Sequence, residues 1–173
     1  MSNYKELLRD VDTFILDYDG VLTDGNVILM SNGDALRTAN VKDGYALQLA
    51  VKNGYRVAII SGGYSESMLH RFKALKINDV FLGVDKKIEV LQKYMKDNNL
   101  EPRQVLYMGD DIPDYESMLL VGVPTCPADA SEEIKAISKY ISHRSGGKGC
   151  VRDIIEQVMK IQGKWMNDLA FHW

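Results

Sequence analysis

The 173-residue sequence has no apolar run approaching the ~18 residues that a membrane-spanning helix needs, so no segment is expected to cross a bilayer. It lacks an excess of either charge. Its 21 Lys and Arg against 24 Asp and Glu leave a net charge of −3, which argues against holding nucleic acid by bulk attraction. It has only two cysteines, Cys126 and Cys150, without metal-ligand spacing. Both read as packing residues of a reduced compartment rather than a disulfide framework. Residues Met1 to Glu6 hold no apolar signal core, and the expected location is the cytoplasm. There is no internal repeat and no low-complexity tract. What remains is 46% hydrophobic and 26% charged, the make-up of a globular protein, and its length suits one domain over residues 1–173.

Short apolar runs alternate with helix-length amphipathic segments. Thr13–Leu16, Arg56–Ile60, Val80–Leu82 and Gln104–Met108 read as buried strands, with weaker ones at Val121–Val123 and Lys139–Ile141. Helical patterns cover Ala46–Lys52, Ser65–Leu75, Lys86–Lys96, Asp114–Leu120, Ser131–Ile137 and Val151–Ile161. Continuous apolar strands separated by helices predict an α/β fold, a doubly wound parallel sheet covered on both faces. One segment breaks the rhythm: Asn32-Gly33 between two apolar runs predicts a projecting β-hairpin over residues 26–38.

In such a sheet, ligands bind beyond the C-terminal strand ends. Strand one ends in Asp17-Tyr18-Asp19-Gly20, strand two in Ser61, and strand four in Asp110-Asp111, with Asp114 close behind. Lys86 opens the helix after strand three. Singly, each has a plainer explanation: Asp in a turn, Ser61 or Asp114 as a helix cap, Lys86 as a solvated residue. An EF-hand loop is ruled out, because Gly20 comes too early and Ile28 stands where a closing Glu belongs. Together they gather carboxylates, a hydroxyl and an ammonium at one edge. Crowded carboxylates call for a cation or for raised pKa values, and all-oxygen ligands suit Mg²⁺ with a phosphate. Asp17 can then attack phosphorus, while Asp19 protonates the leaving oxygen and later activates water. Lys86 offsets negative charge, and Ser61 donates to phosphoryl oxygens.

These segments resemble the haloacid dehalogenase superfamily of phosphotransferases. Asp17-Tyr18-Asp19-Gly20-Val21-Leu22-Thr23-Asp24 is similar to its first motif, Ser61 to its second, Lys86 to its third and Gly109-Asp110-Asp111-Ile112-Pro113-Asp114 to its fourth. The resemblance implies an aspartyl phosphate on Asp17, with Asp19 as general acid and base. It also implies Mg²⁺ held by Asp17, the Asp19 carbonyl and Asp110, with Asp114 supporting them and Asp111 a lesser candidate. The superfamily often inserts a cap domain beside its motifs. Here 41 residues separate Asp19 from Ser61 and 24 separate Ser61 from Lys86. Neither gap holds a domain of ~50 residues or more, so the chain reads as capless.

Within that superfamily, Asp19 to Gly25, Val41-Lys42-Asp43-Gly44, Gly109-Asp110-Asp111 and Gly146-Gly147-Lys148-Gly149 resemble the capless phosphatases of 3-deoxy-D-manno-octulosonate 8-phosphate. That resemblance implies a place in lipopolysaccharide precursor synthesis, a small sugar-acid phosphate as substrate, and a homotetramer in which a neighbour completes each site. Substrate contacts are expected from Asp19, Arg37, Lys42, Asp43, Gly44, Gly62, Gly63, Arg71, Lys86 and Lys148. The run from His143 to Gly149 reads either as an anion-binding surface of exposed N–H groups or as a linker. Gly63 departs from the arginine frequent in these relatives, which leaves a nine-carbon nonulosonate 9-phosphate as a second substrate. Loss of activity, leaving an oligomeric module, is the third reading; Asp17, Asp19, Ser61, Lys86 and Asp110 oppose it by being intact. The tail over residues 163–173 carries Trp165, Phe171 and Trp173 and is expected to pack on a neighbouring subunit, with folding back on its own chain as the alternative.

Overall fold

The structure, a computed structural model, describes residues 3–173. In chain order the elements are α1 (Tyr4–Leu7), β1 (Thr13–Leu16), β2 (Ile28–Leu29), β3 (Ala35–Leu36), α2 (Val41–Lys52), β4 (Arg56–Ile60), α3 (Glu66–Ala74), β5 (Asp79–Phe81) and α4 (Lys87–Asp97). They continue with β6 (Val105–Met108), α5 (Tyr115–Leu120), β7 (Val123–Cys126), α6 (Glu132–Ile137), β8 (Tyr140–Ile141) and α7 (Cys150–Ile161).

Six strands form one sheet in the order β5-β4-β1-β6-β7-β8, every neighbouring pair parallel. Parallel pairing needs cover on both faces, and successive side chains of each strand supply two cores. Phe14, Leu16, Val57, Ile59, Leu106 and Met108 face α2, α3 and α7. Ile15, Ala58, Ile60, Val105 and Tyr107 face α4, α5 and α6. The α7 face built from Val151, Ile154, Ile155 and Val158 is wholly buried, at helical spacing.

The segment at 26–38 forms the expected antiparallel hairpin, with Ile28 opposite Leu36. Its Ile28 and Leu29 side chains are exposed. Strand and helix positions otherwise agree with the sequence pattern to within about two residues, with two larger differences, and one of them is β7, which ends at Cys126 rather than Val123. The α2 helix starts at Val41 rather than Ala46, because the Asn40 side chain accepts the Lys42 and Asp43 N–H groups and caps it there.

Candidate active site

β1 and β6 lie side by side, yet the chain leaves them toward opposite edges of the sheet. The helix α2 covers one face and α5 the other, so a crevice opens at the C-terminal ends of these two strands. Asp17 leaves β1 into it and Asp110 leaves β6 into it. The crevice measures about 280 Å³ and is lined by Asp17, Asp19, Gly20, Lys87, Asp110 and Asp114, among others. The turn after β1 needs glycine twice over at Gly20. Its φ is +85°, and a Cβ there would stand 2.0 Å from Asp110 Oδ2.

The cation of the site is Lys87, not Lys86. Lys86 has a side chain 67% exposed and pairs with Glu89, outside the crevice. Lys87 is buried, with Nζ 2.9 Å from Asp17 Oδ1 and 2.8 Å from Asp114 Oδ1. The physical reason is the phase of α4. Lys87 shares the buried face of that helix with Leu91, Tyr94 and Met95, whereas Lys86 precedes the first turn and points elsewhere.

Asp114 is fully enclosed and does not cap α5. Its Oδ1 accepts from Lys87 and from the Tyr107 hydroxyl at 2.8 Å, and its Oδ2 accepts the Asp110 N–H at 3.2 Å. Asp17 accepts the Tyr18 N–H at 2.6 Å. Burial drives the Asp17 carboxyl well above the usual carboxylate range; the Asp114 charge adds to this, and Lys87 partly opposes it. Burial, with Asp114 next, lifts Asp110 to about 6. For Lys87, burial works against the charge but Asp114 and Asp17 outweigh it, and its pKa is raised.

Carboxylate oxygens of Asp17, Asp110 and Asp114 come within 4.8 Å of one another. One ammonium does not balance three carboxylates, and a cluster of hard oxygens fits a divalent ion such as Mg²⁺. Since both Asp114 oxygens already accept hydrogen bonds, Asp17 and Asp110 are the pair left to face the ion.

Across the crevice Arg37, carried by the hairpin, grips Asp19 with two hydrogen bonds. Nε lies 2.7 Å from Oδ1 and Nη2 lies 2.9 Å from Oδ2. Ser61 is buried, and its Oγ accepts the Gly63 N–H at 3.1 Å. A Cβ added at Gly63 would stand 3.0 Å from Asp19 Oδ2, 3.1 Å from Arg37 Nη2 and 3.6 Å from Ser61 Oγ. Asp19, Arg37, Ser61 and Gly63 therefore meet at one point, with Gly62 next to it.

The other expected contacts lie elsewhere. Asp43 is buried and accepts the Arg152 N–H at 2.7 Å, capping α7 where the N-cap residue Gly149 has no side chain. Gly44 leaves room for the Arg71 guanidinium: a Cβ there would stand 2.3 Å from Nη2. Arg71 lines a groove with Tyr18 and Leu22 rather than the carboxylate crevice. Lys42 and Lys148 border a separate crevice of about 720 Å³ with Arg144 and Arg152. The glycines before Lys148 do not offer N–H groups to an anion. Gly146 donates to Asp129 and Gly147 to the Val21 carbonyl, and both pack on the turn after β1. Asp111 is exposed and accepts the Ile112 N–H. The tail folds back on its own chain: Trp165 is buried edge-on to Tyr45, whose hydroxyl donates to the Ala170 carbonyl, while Phe171 and Trp173 stay exposed. Lys87 and Tyr107 went unnoticed in the sequence.

The haloacid dehalogenase-like hydrolase model matches residues 37–128. The 3-deoxy-D-manno-octulosonate 8-phosphate phosphatase KdsC of Salmonella typhi is 33% identical over 156 residues, 90% of this chain and 83% of that protein. KdsC of Escherichia coli K12 is 32% identical over the same shares. Among solved structures, the 3-deoxy-D-manno-octulosonate 8-phosphate phosphatase from Moraxella catarrhalis, in complex with a magnesium ion, a phosphate ion and a KDO molecule, superposes with a TM-score of 0.90. It is 32% identical, with 94% of each chain covered. The cobalt-bound deoxy-D-mannose-octulosonate 8-phosphate phosphatase from Haemophilus influenzae gives a TM-score of 0.89 at 30% identity over 95% of this chain and 98% of that one.

Proposed function

The chain belongs to the haloacid dehalogenase-like hydrolases, and from that premise we propose that it is a Mg²⁺-dependent phosphatase acting on 3-deoxy-D-manno-octulosonate 8-phosphate. The products are the free sugar acid and phosphate. One observation carries the reading: a buried Asp17, paired with Lys87, faces Asp110 across a small crevice with Asp19 on its rim. Similarity to the octulosonate 8-phosphate phosphatases over 90% of the chain supports the substrate.

Asp17 attacks phosphorus through a carboxylate oxygen, and the bond from phosphorus to the sugar oxygen breaks. Asp19 gives that oxygen its proton. Asp19 then takes a proton from water, which attacks the aspartyl phosphate and frees Asp17. Asp17, Asp110 and the Asp19 carbonyl would hold Mg²⁺, with Asp114 fixed behind them. When bound, the ion screens the crowded negative charge and orients the phosphoryl group. Lys87 neutralises Asp17 and Asp114 from below, while the Ser61 hydroxyl, which accepts the Gly63 N–H, and the backbone N–H of Gly62 donate to phosphoryl oxygens. Arg37 holds the Asp19 carboxylate.

A second copy of the chain completes the site. Exposed Ile28 and Leu29 on the hairpin, exposed Tyr64 after β4, and Phe171 and Trp173 on the tail support assembly into a homotetramer. Two free, buried cysteines support a cytoplasmic location, and among the described residues no helix is long and apolar enough to cross a membrane.

The test is phosphate release from the octulosonate 8-phosphate, the nonulosonate 9-phosphate, hexose phosphates and a phosphopeptide, with Mg²⁺ and with chelator. Faster Mg²⁺-dependent release from the octulosonate ester is expected. Equal or faster release from the nine-carbon ester would overturn the substrate assignment, with Gly63 as the structural reason.

A further inference from the structure

Tyr107 lies in the middle of β6 with no exposed surface. A buried phenol needs a partner, and its hydroxyl donates to Asp114 Oδ1 at 2.8 Å. The same oxygen accepts from Lys87 Nζ at 2.8 Å, and Lys87 continues to Asp17 at 2.9 Å. A chain of three contacts therefore runs from the interior of the sheet to the carboxylate that attacks phosphorus.

We propose that Tyr107 is a positioning residue for phosphoryl transfer: through Asp114 it fixes the Lys87 ammonium on Asp17. The proposal deepens the phosphatase reading and rests on Asp17 being its nucleophile. The flexibilities of the members support it. A lysine stem has four rotatable bonds and no preferred direction at its end, and the terminal torsion of an aspartate is broad. Tyr107 is the rigid member. Its backbone pairs with β1 on one side and β7 on the other, and its carbonyl also accepts the Thr125 hydroxyl at 3.0 Å. Two directions of approach, the phenol to Oδ1 and the Asp110 N–H to Oδ2, set the plane of the Asp114 carboxylate. That plane decides where Lys87 settles. A rigid group behind a mobile catalytic one holds the geometry that turnover requires. Packing alone would be met equally well by phenylalanine, since the aromatic ring already fills the space in the core.

Tyr107→Phe removes only the hydroxyl. With p-nitrophenyl phosphate and saturating Mg²⁺, kcat is expected to fall about ten-fold, because a hydrogen bond to a charged group is among the strong ones. KM is expected to stay within about two-fold, because the hydroxyl does not reach the crevice. In an Asp114→Asn background, the same change should cause no further loss of kcat, because Tyr107 acts through Asp114. Near-UV circular dichroism follows the fold of each variant. An unchanged kcat overturns the proposal. So does a loss of kcat that matches a loss of folded protein, or a loss that multiplies in full on the Asp114→Asn background. Wild-type turnover of the octulosonate 8-phosphate in the same buffer reports separately on the substrate assignment. Its failure leaves the ratio of variant to wild type on p-nitrophenyl phosphate readable.

Discussion

Replacing Lys87 by methionine keeps most of the stem and removes the charge. It would leave Asp17 and Asp114, with side chains 9% and 1% exposed, facing each other without their shared cation. Removing one partner of a buried ion pair costs about 3–5 kcal/mol, against a total stability of roughly 5–15 kcal/mol for a domain. The variant should therefore fold with a clearly lower urea midpoint. Without Lys87 the Asp17 carboxyl rises further, so less of it is ionised to attack phosphorus, and kcat should fall by about 10²-fold or more. Lys86→Met is the control one residue away. Lys86 and Glu89 form an exposed pair at 3.2 Å, with side chains 67% and 66% exposed, so removing it should change stability by less than about 0.5 kcal/mol. Its turnover should stay within about two-fold of wild type, since it touches nothing in the crevice. Phosphate release and urea unfolding on both variants decide the matter. Greater loss of activity in Lys86→Met, or a wild-type urea midpoint for Lys87→Met, would refute the reasoning.

Other expectations are as direct. Asp17→Asn should remove turnover while the fold survives, because the amide still accepts from the Tyr18 N–H and a buried charge disappears; circular dichroism and phosphate release check both halves. Burial lifts Asp43 to about 6, only partly opposed by the Arg152 N–H. An unfolded Asp titrates near ~4, so the folded chain holds this proton more tightly and loses stability as pH rises from about 4 to 6. Asp43→Asn keeps an acceptor for Arg152 and removes the ionisation. It should raise stability at pH 7.5 by up to about 3 kcal/mol and flatten the urea midpoint between pH 4 and 6; a lower midpoint at pH 7.5 would contradict this. Trp165→Ala should cost about 3–5 kcal/mol, because this indole is buried against Tyr45 and under Arg152; differential scanning calorimetry measures it.

Much of the site was readable before any coordinates, and the reason is specific. Buried parallel strands are written as unbroken apolar runs, so each run marks where the chain emerges from the sheet. Asp17, Ser61 and Asp110 stand at such ends. Lys87 was missed in favour of Lys86, although a different signal marks it. Its spacing of four, seven and eight residues from Leu91, Tyr94 and Met95 sets it on the apolar face of α4. Motif spacing alone does not separate two adjacent lysines, but helical phase does. Arg37 on Asp19 was harder to read, since it depends on how far the hairpin leans over the crevice. Asp43 was misassigned because a cap from one helix to the start of another is a tertiary contact. The 143–149 loop misled for a similar reason: its glycines allow backbone to press against the turn after β1 rather than exposing N–H groups to a ligand.

In the proposed reaction the phosphoryl group passes through Asp17. Turnover of the octulosonate 8-phosphate with Mg²⁺ can be quenched in acid, reduced with borohydride and mapped by mass spectrometry. An acyl phosphate at position 17 would be reduced there to homoserine, and Asp17→Asn would show no such product. Wild-type turnover with no modification at Asp17, or with the modification on another carboxylate, would contradict the account.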